Sequence, residues 1–253
     1  MRIVTWNINS LNVRKDHVAA YLDRVAPDVL CLQELKMTEG KVPRSLFESR
    51  GYQLAILGQK TYNGVLIASK ADITDVERGY APADRGQARL IAGTVDGVRI
   101  VNAYCPQGQD VDSEKFEYKL DFFDELLEWI APQIELGEPF ILTGDINIAR
   151  QPDDVWSVAE MTDQVSYHPE EHARFDALLE VGLVDAVKPH LPPHTFTFWD
   201  YRQASFQRGR GMRIDHFLVT PAVNTRVVRA WVDVDERRKD KPSDHAPVVL
   251  ELA

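Results

Sequence analysis

Short apolar runs recur along the chain, each bounded by Gly, Pro, Asp or Asn. Runs of this length and punctuation predict many short β-strands rather than long helices. The predicted strands are residues 3–8, 29–33, 53–57, 65–69, 90–95, 98–104, 140–143, 214–219, 227–234 and 248–252. Asp96-Gly97 lies between two of these runs and predicts a tight type I′ hairpin.

Three other segments place apolar residues at the spacing of an amphipathic helix. The first ends before Pro27. The second begins after Ser113 as its N-cap and is predicted to end before Pro132, since proline breaks helices. The third begins at Pro169, a favoured first position, and ends at Gly182. Strands interleaved with a few helices favour two packed sheets flanked by helices over an all-parallel nucleotide-binding sheet.

Length and composition are those of an ordinary globular protein. The chain has 253 residues, of which 44% are hydrophobic and 27% are charged. No apolar run approaches the roughly 20 residues of a membrane span, and the first residues form a predicted strand rather than a secretory signal. Cys31 and Cys105 lie in apolar runs and are expected to be buried reduced thiols. We therefore expect a cytoplasmic protein.

The net charge of −10 argues against a general DNA-coating protein, which would be basic. Local charge matters more than the total, however, and cationic residues are concentrated in two short stretches. These stretches contain Arg202, Arg208, Arg210 and Arg213, and then Arg237, Arg238, Lys239 and Lys241. Both flank candidate site residues, which favours an anionic substrate over a merely solvated surface.

Seven polar residues lie at the edges of apolar runs. They are Asn7, Glu34, Asp145, Asn147, Asp215, Asp244 and His245. An ionised carboxylate beside buried apolar surface is costly unless it is paired, hydrogen-bonded or bound to a cation. Taken singly, each of these positions is more typical of a turn, but four carboxylates in such positions indicate a shared site. Oxygen and amide donors suit Mg²⁺ or Mn²⁺ better than structural zinc, and they predict metal-dependent phosphodiester cleavage.

Six segments carry a resemblance to a known family. TWNINSL, CLQELK, NAYCPQG, GDINIA, RIDHFLV and SDHAPV occur in the order typical of the exonuclease III family. That family holds exodeoxyribonuclease III and the apurinic/apyrimidinic endonucleases of the endonuclease/exonuclease/phosphatase superfamily. The resemblance covers nearly the whole chain. It implies one domain over residues 1–253 with an α/β fold, a four-layered sandwich of two mixed, mainly antiparallel sheets flanked by helices.

The resemblance also implies roles for these residues. Metal would be held by Glu34 with Asn7 and Asp244. Asp145 would align or deprotonate the attacking water or protonate the leaving oxygen, alternatives that the sequence leaves open. Asn147 and Tyr104 would contact the scissile phosphate. Asp215 would orient His245, which would either hydrogen-bond a phosphoryl oxygen or support the nucleophile. Gln107 would contact the DNA backbone, and Arg89 would contact the DNA.

A substrate pocket is implied as well. Either Phe198 or Trp199 would contact an extrahelical abasic sugar, and Met212 and Ile214 would complete the pocket. Ser166 aligns with a small residue that leaves room for this sugar.

The resemblance therefore predicts a Mg²⁺-dependent repair nuclease, with Mn²⁺ as a possible substitute. As a monomer away from membranes, it would cleave double-stranded DNA 5′ to abasic sites, leaving a 3′-hydroxyl, and would act at 3′ ends as a 3′–5′ exonuclease and 3′-phosphatase. Two alternatives stay open. One is a phosphodiesterase of the superfamily that acts on RNA or a lipid headgroup, and the other is a non-catalytic regulatory homologue that binds nucleic acid. The complete acidic set argues against the second.

Overall fold

The computed structural model describes residues 1–79 and 85–253. Its strands are β1 Arg2–Asn7, β2 Val29–Gln33, β3 Gln53–Leu57, β4 Val65–Ser69, β5 Thr74–Arg78, β6 Leu90–Val95, β7 Val98–Tyr104, β8 Phe140–Asp145, β9 Val184–Asp185, β10 Asp215–Val219, β11 Val227–Val232 and β12 Val248–Leu252. Its α-helices are α1 Leu11–Val25, α2 Arg44–Glu48, α3 Glu114–Glu135, α4 Val158–Met161, α5 Pro169–Glu180 and α6 Pro221–Asn224.

The strands form two six-stranded sheets. The first has the order β11-β12-β1-β2-β4-β3, and the second has the order β5-β6-β7-β8-β10-β9. Within the described residues, β1–β2 and β7–β8 are parallel and the other neighbouring strands are antiparallel. The predicted mixed, mainly antiparallel sheets are thus confirmed.

The two sheets pack face to face over a shared apolar core. Side chains such as Ile67 from the first sheet and Ile100 from the second meet in this core. Helix α1 packs on the outer face of the first sheet, while α3 and α5 cover the outer face of the second. The layers are therefore helix, sheet, sheet and helix, as predicted. The continuous apolar runs in the central strands explain these layers. Successive side chains of a strand point to opposite faces of its sheet, and both faces are covered by another layer.

Most predicted elements match the structure within one or two residues, and the exceptions have physical causes. Strand β5 was missed because it is a mostly exposed edge strand with a single apolar residue, and β9 has only two residues. The prediction that α3 ends before Pro132 was wrong. The helix continues to Glu135, and Ile130 and Ile134 on either side of the proline are buried in the core.

Cys31 and Cys105 are buried and unpaired, as expected. Within residues 1–79 and 85–253, none of the helices is both long enough and apolar enough to cross a membrane.

The sheets bring several strand ends to one edge of the sandwich. Tyr104 ends β7, opposite Asp145 at the end of the parallel strand β8. Asp215 begins β10 and also faces Asp145 in register. In the other sheet, Asn7 ends β1 beside the end of β2. Because the two sheets are stacked, polar residues at these ends come together without entering the apolar core.

Candidate active site

A cavity of about 460 Å³ lies at this edge, between the strand ends of the two sheets. Its walls are Glu34, Tyr104, Gln107, Gln109, Asp145, Asn147, Ser166, Phe198, Asp200, Arg202, Met212, Ile214, Asp244 and His245. Ten of these are site residues predicted from the sequence. Of the other four predicted residues, Asn7 and Asp215 lie beneath the cavity in contact with its walls, whereas Arg89 and Trp199 lie elsewhere.

The close approach of β7 and β8 brings Asp145 to the cavity and requires glycine before it. Gly144 has φ 134, and a Cβ there would lie 1.9 Å from the carbonyl oxygen of Ala103. Any other residue would push the two strands apart. The GDINIA segment therefore places its aspartate next to the end of β7.

Asn7 joins the two sheets through its side-chain amide. Its Nδ2 donates to Glu34 Oε1 and to Asp145 Oδ2, each at 2.8 Å. Its Oδ1 accepts the main-chain amide of Asn9 at 3.0 Å. Two carboxylates from different sheets are thus held together by one neutral donor group, which lowers their mutual repulsion.

Glu34 lies just beyond the end of β2 in a left-handed conformation, with φ 56. Such a conformation costs about 1–3 kcal/mol and is typical of functional positions. Burial raises the pKa of Glu34, but Lys36 at 2.8 Å and the hydrogen bond from Asn7 outweigh it, so the pKa lies below its usual value. Glu34 is therefore ionised, and it lines the cavity as an anion. The nearby Tyr104 hydroxyl also interacts with Glu34, and burial raises the pKa of this tyrosine.

Asp215, His245 and Asp145 form a buried charge array. His245 Nδ1 lies 2.9 Å from Asp215 Oδ2, and His245 Nε2 lies 3.6 Å from Asp145 Oδ2. Burial lowers the pKa of His245, but attraction to the two aspartates outweighs burial and raises it to about 10. Burial also raises the pKa of Asp145 to about 7, against the attraction of His245. An imidazolium thus lies between two acids at the cavity floor.

Asn147 presents an amide to the same cavity. Its main-chain N–H donates to Asp145 Oδ1 at 3.1 Å, and its Nδ2 donates to the carbonyl of Cys105 at 3.0 Å. Its left-handed φ of 57 places the side chain beside Asp145 instead of continuing the strand. Since an amide nitrogen carries two hydrogens, one remains for an anion.

Asp244 is linked to Glu34 by two residues that were not predicted as site residues. Asn9 Nδ2 donates to Asp244 Oδ1 at 2.9 Å, and Asn9 Oδ1 accepts from the Lys36 ammonium. Asn9 does have low β-propensity inside a strand-like segment, which is a signal of a functional position, but no role was predicted for it. Lys36 could have been found by its place in CLQELK. The link shows that Asp244 and Glu34 border one polar site.

The donor chemistry of this site fits a hard divalent cation. Asn7, Glu34 and Asp244 offer carboxylate and amide oxygens, which Mg²⁺ prefers. Among the described residues, Asp145, Asp215 and His245 also come within 4.8 Å of one another. In that group His245 Nδ1 is already hydrogen-bonded to Asp215 Oδ2 at 2.9 Å, and Asp145 Oδ2 accepts from Asn7 at 2.8 Å.

The apolar end of the cavity contains Phe198, Met212 and Ile214. The Phe198 ring centroid lies 4.9 Å from that of His245. Trp199 instead packs against Phe196 and Phe206 away from the cavity, and only its main-chain amide reaches the site, at the carbonyl of Asp244. Of the two aromatic alternatives, Phe198 is the one that faces the cavity.

Arg89 lies outside the main cavity but close to it. It contributes to an adjoining cavity of about 330 Å³ that shares Tyr104, Gln107 and Gln109 with the first. Its guanidinium lies 4.9 Å from the Tyr104 ring centroid. Arg202 borders the main cavity from the first basic stretch.

Arg213, from the same basic stretch, is buried. It pairs with Asp154 and Asp185 and does not line the cavity, so its charge is balanced within the protein.

The whole chain is similar to proteins that are already known. The chain matches the Endonuclease/Exonuclease/phosphatase family over residues 4–245. Exodeoxyribonuclease III of Haemophilus influenzae is 32% identical, with both chains covered in full. A Neisseria 3′ phosphatase bound to a product DNA hairpin is 40% identical with a TM-score of 0.97, and covers 100% of this chain and 99% of its own. An AP endonuclease from Archaeoglobus fulgidus is 34% identical with a TM-score of 0.94 and the same coverage.

Proposed function

The chain belongs to the endonuclease/exonuclease/phosphatase family, and from that premise we propose that it is a Mg²⁺-dependent DNA-repair nuclease. It cleaves double-stranded DNA on the 5′ side of abasic sites, leaving a 3′-hydroxyl, and removes nucleotides and phosphate from 3′ ends. These activities share one reaction, hydrolysis of a phosphate ester. We expect a monomer with a single domain.

One observation carries the proposal. The amide of Asn7 joins Glu34 and Asp145 in the wall of a cavity that is also lined by His245, the partner of the buried Asp215. This arrangement offers separate groups for a cation, for an anionic phosphate and for a water molecule. Each is needed in phosphodiester hydrolysis, because the anionic substrate repels hydroxide.

Each side chain of the site would have a separate role in the reaction. The His245 imidazolium and the free N–H of Asn147 would bind phosphoryl oxygens. Asp145 would accept a proton from the attacking water, because burial raises its pKa to about 7 and so makes its ionised form a stronger base than an exposed aspartate. Glu34, Asp244 and Asn7 would hold Mg²⁺, which would neutralise charge on the phosphate and on the leaving oxygen. Mn²⁺ has similar ligand preferences.

The shape of the cavity supports an abasic substrate. Phe198, Met212 and Ile214 form an apolar recess, and Ser166 beside them is small. A sugar without a base could enter such a recess after rotating out of the helix, and an intact nucleotide would be hindered. The AP endonuclease of Archaeoglobus fulgidus and the Neisseria 3′ phosphatase are consistent with the two activities proposed here.

The other functions fit less well. A phosphodiesterase for lipid headgroups has little use for the basic stretch that brings Arg202 to the cavity. A regulatory homologue without activity would not require the hydrogen-bonded set of Asn7, Asp145 and His245. Both alternatives predict no incision of abasic DNA.

A single assay tests the proposal. Purified protein is incubated with a duplex carrying one abasic-site analogue, in Mg²⁺ or in EDTA, and the products are separated on a denaturing gel. We expect incision in Mg²⁺ alone and a loss of about 10²–10⁴-fold in Asp145→Asn. Asp96→Asn is the matched control, because it removes the same charge at an exposed hairpin turn with φ 48. Incision that persists in EDTA or in Asp145→Asn would exclude this mechanism.

A further inference from the structure

An ion pair lies behind the cavity between two helices. Lys119 on α3 and Glu171 on α5 are in contact, and both side chains are fully buried. Burying two charges removes their water, so such a pair adds little stability compared with apolar side chains of similar volume. Its hydrogen bonds to the surrounding loops suggest a different purpose.

The ammonium of Lys119 holds two of the loops that line the cavity. Its Nζ donates to the main-chain carbonyl of Asn147 at 2.7 Å and to that of Gln107 at 3.2 Å. A Cβ at Gly108 would lie only 3.2 Å from Cδ of the lysine, so this loop rests directly on the lysine stem. With Glu171 as the third partner, all three ammonium hydrogens have acceptors.

Glu171 holds a third loop. Its Oε1 accepts the main-chain amide of Ser166 at 3.0 Å, and its Oε2 accepts that of His168 at 3.0 Å. The pair thus connects the segments after β7 and β8 with the segment that precedes α5. These three segments are distant in the sequence and carry Gln107, Asn147 and Ser166 to one cavity.

We propose that Lys119, paired with Glu171, is a positioning residue that fixes these three loops for phosphodiester cleavage. This inference rests on the proposed nuclease function. Lys119 is not among the residues that line the cavity, so it acts through Asn147, whose carbonyl it holds. A displacement of about 1 Å in a group that binds the reacting phosphate can lower the rate about 10²-fold.

A double-mutant cycle tests the proposal. The single variants Lys119→Met and Asn147→Gly are compared with the double variant by single-turnover incision of the abasic duplex. Glycine is chosen at Asn147 because it accepts φ 57. We expect Lys119→Met to lower the rate constant about 10²-fold in the wild-type background. In the Asn147→Gly background, which lacks the amide, the loss caused by Lys119→Met should be several-fold smaller.

Equal losses in both backgrounds would mean that Lys119 does not act through the Asn147 amide, and would overturn the inference. Failure of the wild-type protein to cut the duplex would overturn the proposed function itself. Incision by the wild-type protein is therefore measured first, on its own.

Folding is controlled by two further variants. Lys119→Met leaves Glu171 buried without its cation, whereas Lys119→Met/Glu171→Gln removes both charges. We expect the double neutral variant to regain thermal stability but not the rate constant, because the carbonyls of Asn147 and Gln107 still lack their donor. Full recovery of both quantities would contradict a positioning role. Arg174→Met breaks a more exposed α3–α5 ion pair with Asp124 and is expected to keep the wild-type rate.

Discussion

His245 Nδ1 lies 2.9 Å from Asp215 Oδ2, and both side chains are buried. The second carboxylate oxygen of Asp215 has no hydrogen-bond partner among the described residues. Its charge is therefore balanced mainly by the imidazolium, which in turn is held in one orientation. The pair couples the protonation state of His245 to its geometry.

Asp215→Asn should lower the incision rate about 10²–10⁴-fold, because the imidazolium loses the anion that stabilises and orients it. The measurement is single-turnover incision of the abasic duplex at saturating enzyme. Binding of the duplex should change much less than the rate. An equal loss in binding and rate would argue that Asp215 supports the substrate surface instead.

Asn7→Asp should destabilise the metal-free protein. The change replaces a donor shared by Glu34 and Asp145 with a third carboxylate, and the lost buried hydrogen bonds alone cost about 1–3 kcal/mol. For a chain of this size we expect the unfolding temperature in EDTA to fall by about 2–4 °C per kcal/mol. Added Mg²⁺ should restore part of the difference, since a cation offsets the repulsion. If Asn7→Asp lowers the unfolding temperature equally with and without Mg²⁺, Asn7 is not part of the cation site.

The rate of incision should fall as the pH is lowered through about 7. Burial raises the pKa of Asp145 to about 7, and only the ionised form can accept a proton from water. Higher Mg²⁺ concentrations should move this limb to lower pH, because a nearby cation stabilises the carboxylate. The pH profile is measured at two Mg²⁺ concentrations. A rate that rises on acidification would assign Asp145 as the acid that protonates the leaving oxygen.

Ser166→His should separate the two proposed activities. Ser166 has φ 73, which histidine tolerates better than most residues, and a larger side chain there would fill the recess beside Phe198. We expect abasic incision to fall about 10²-fold or more, as for a misplaced substrate, while release of phosphate from a 3′-phosphorylated end is retained. Ser166→Gly is the control, since it fits the same backbone and leaves the recess open. If abasic incision and 3′-phosphate release fall equally, Ser166 does not determine which substrate is cleaved.

The sequence by itself determined most of the local structure. Apolar runs bounded by turn residues located ten strands, because burial on a pleated strand requires such runs wherever the chain folds. Polar residues at the ends of those runs identified the candidate site. A carboxylate beside buried apolar surface costs free energy unless it has a partner, so several of them together indicate a shared one.

Only the tertiary structure determined which side chains from distant segments come into contact. Phe198 and Trp199 are adjacent and point in different directions, and only the pairing of Phe198 with Met212 and His245 selects the one that faces the cavity. Lys119 was not predicted as core, because an isolated lysine on a helix is expected in solvent. It is buried because α5 supplies Glu171, and only the packing of α3 against α5 brings that partner within reach.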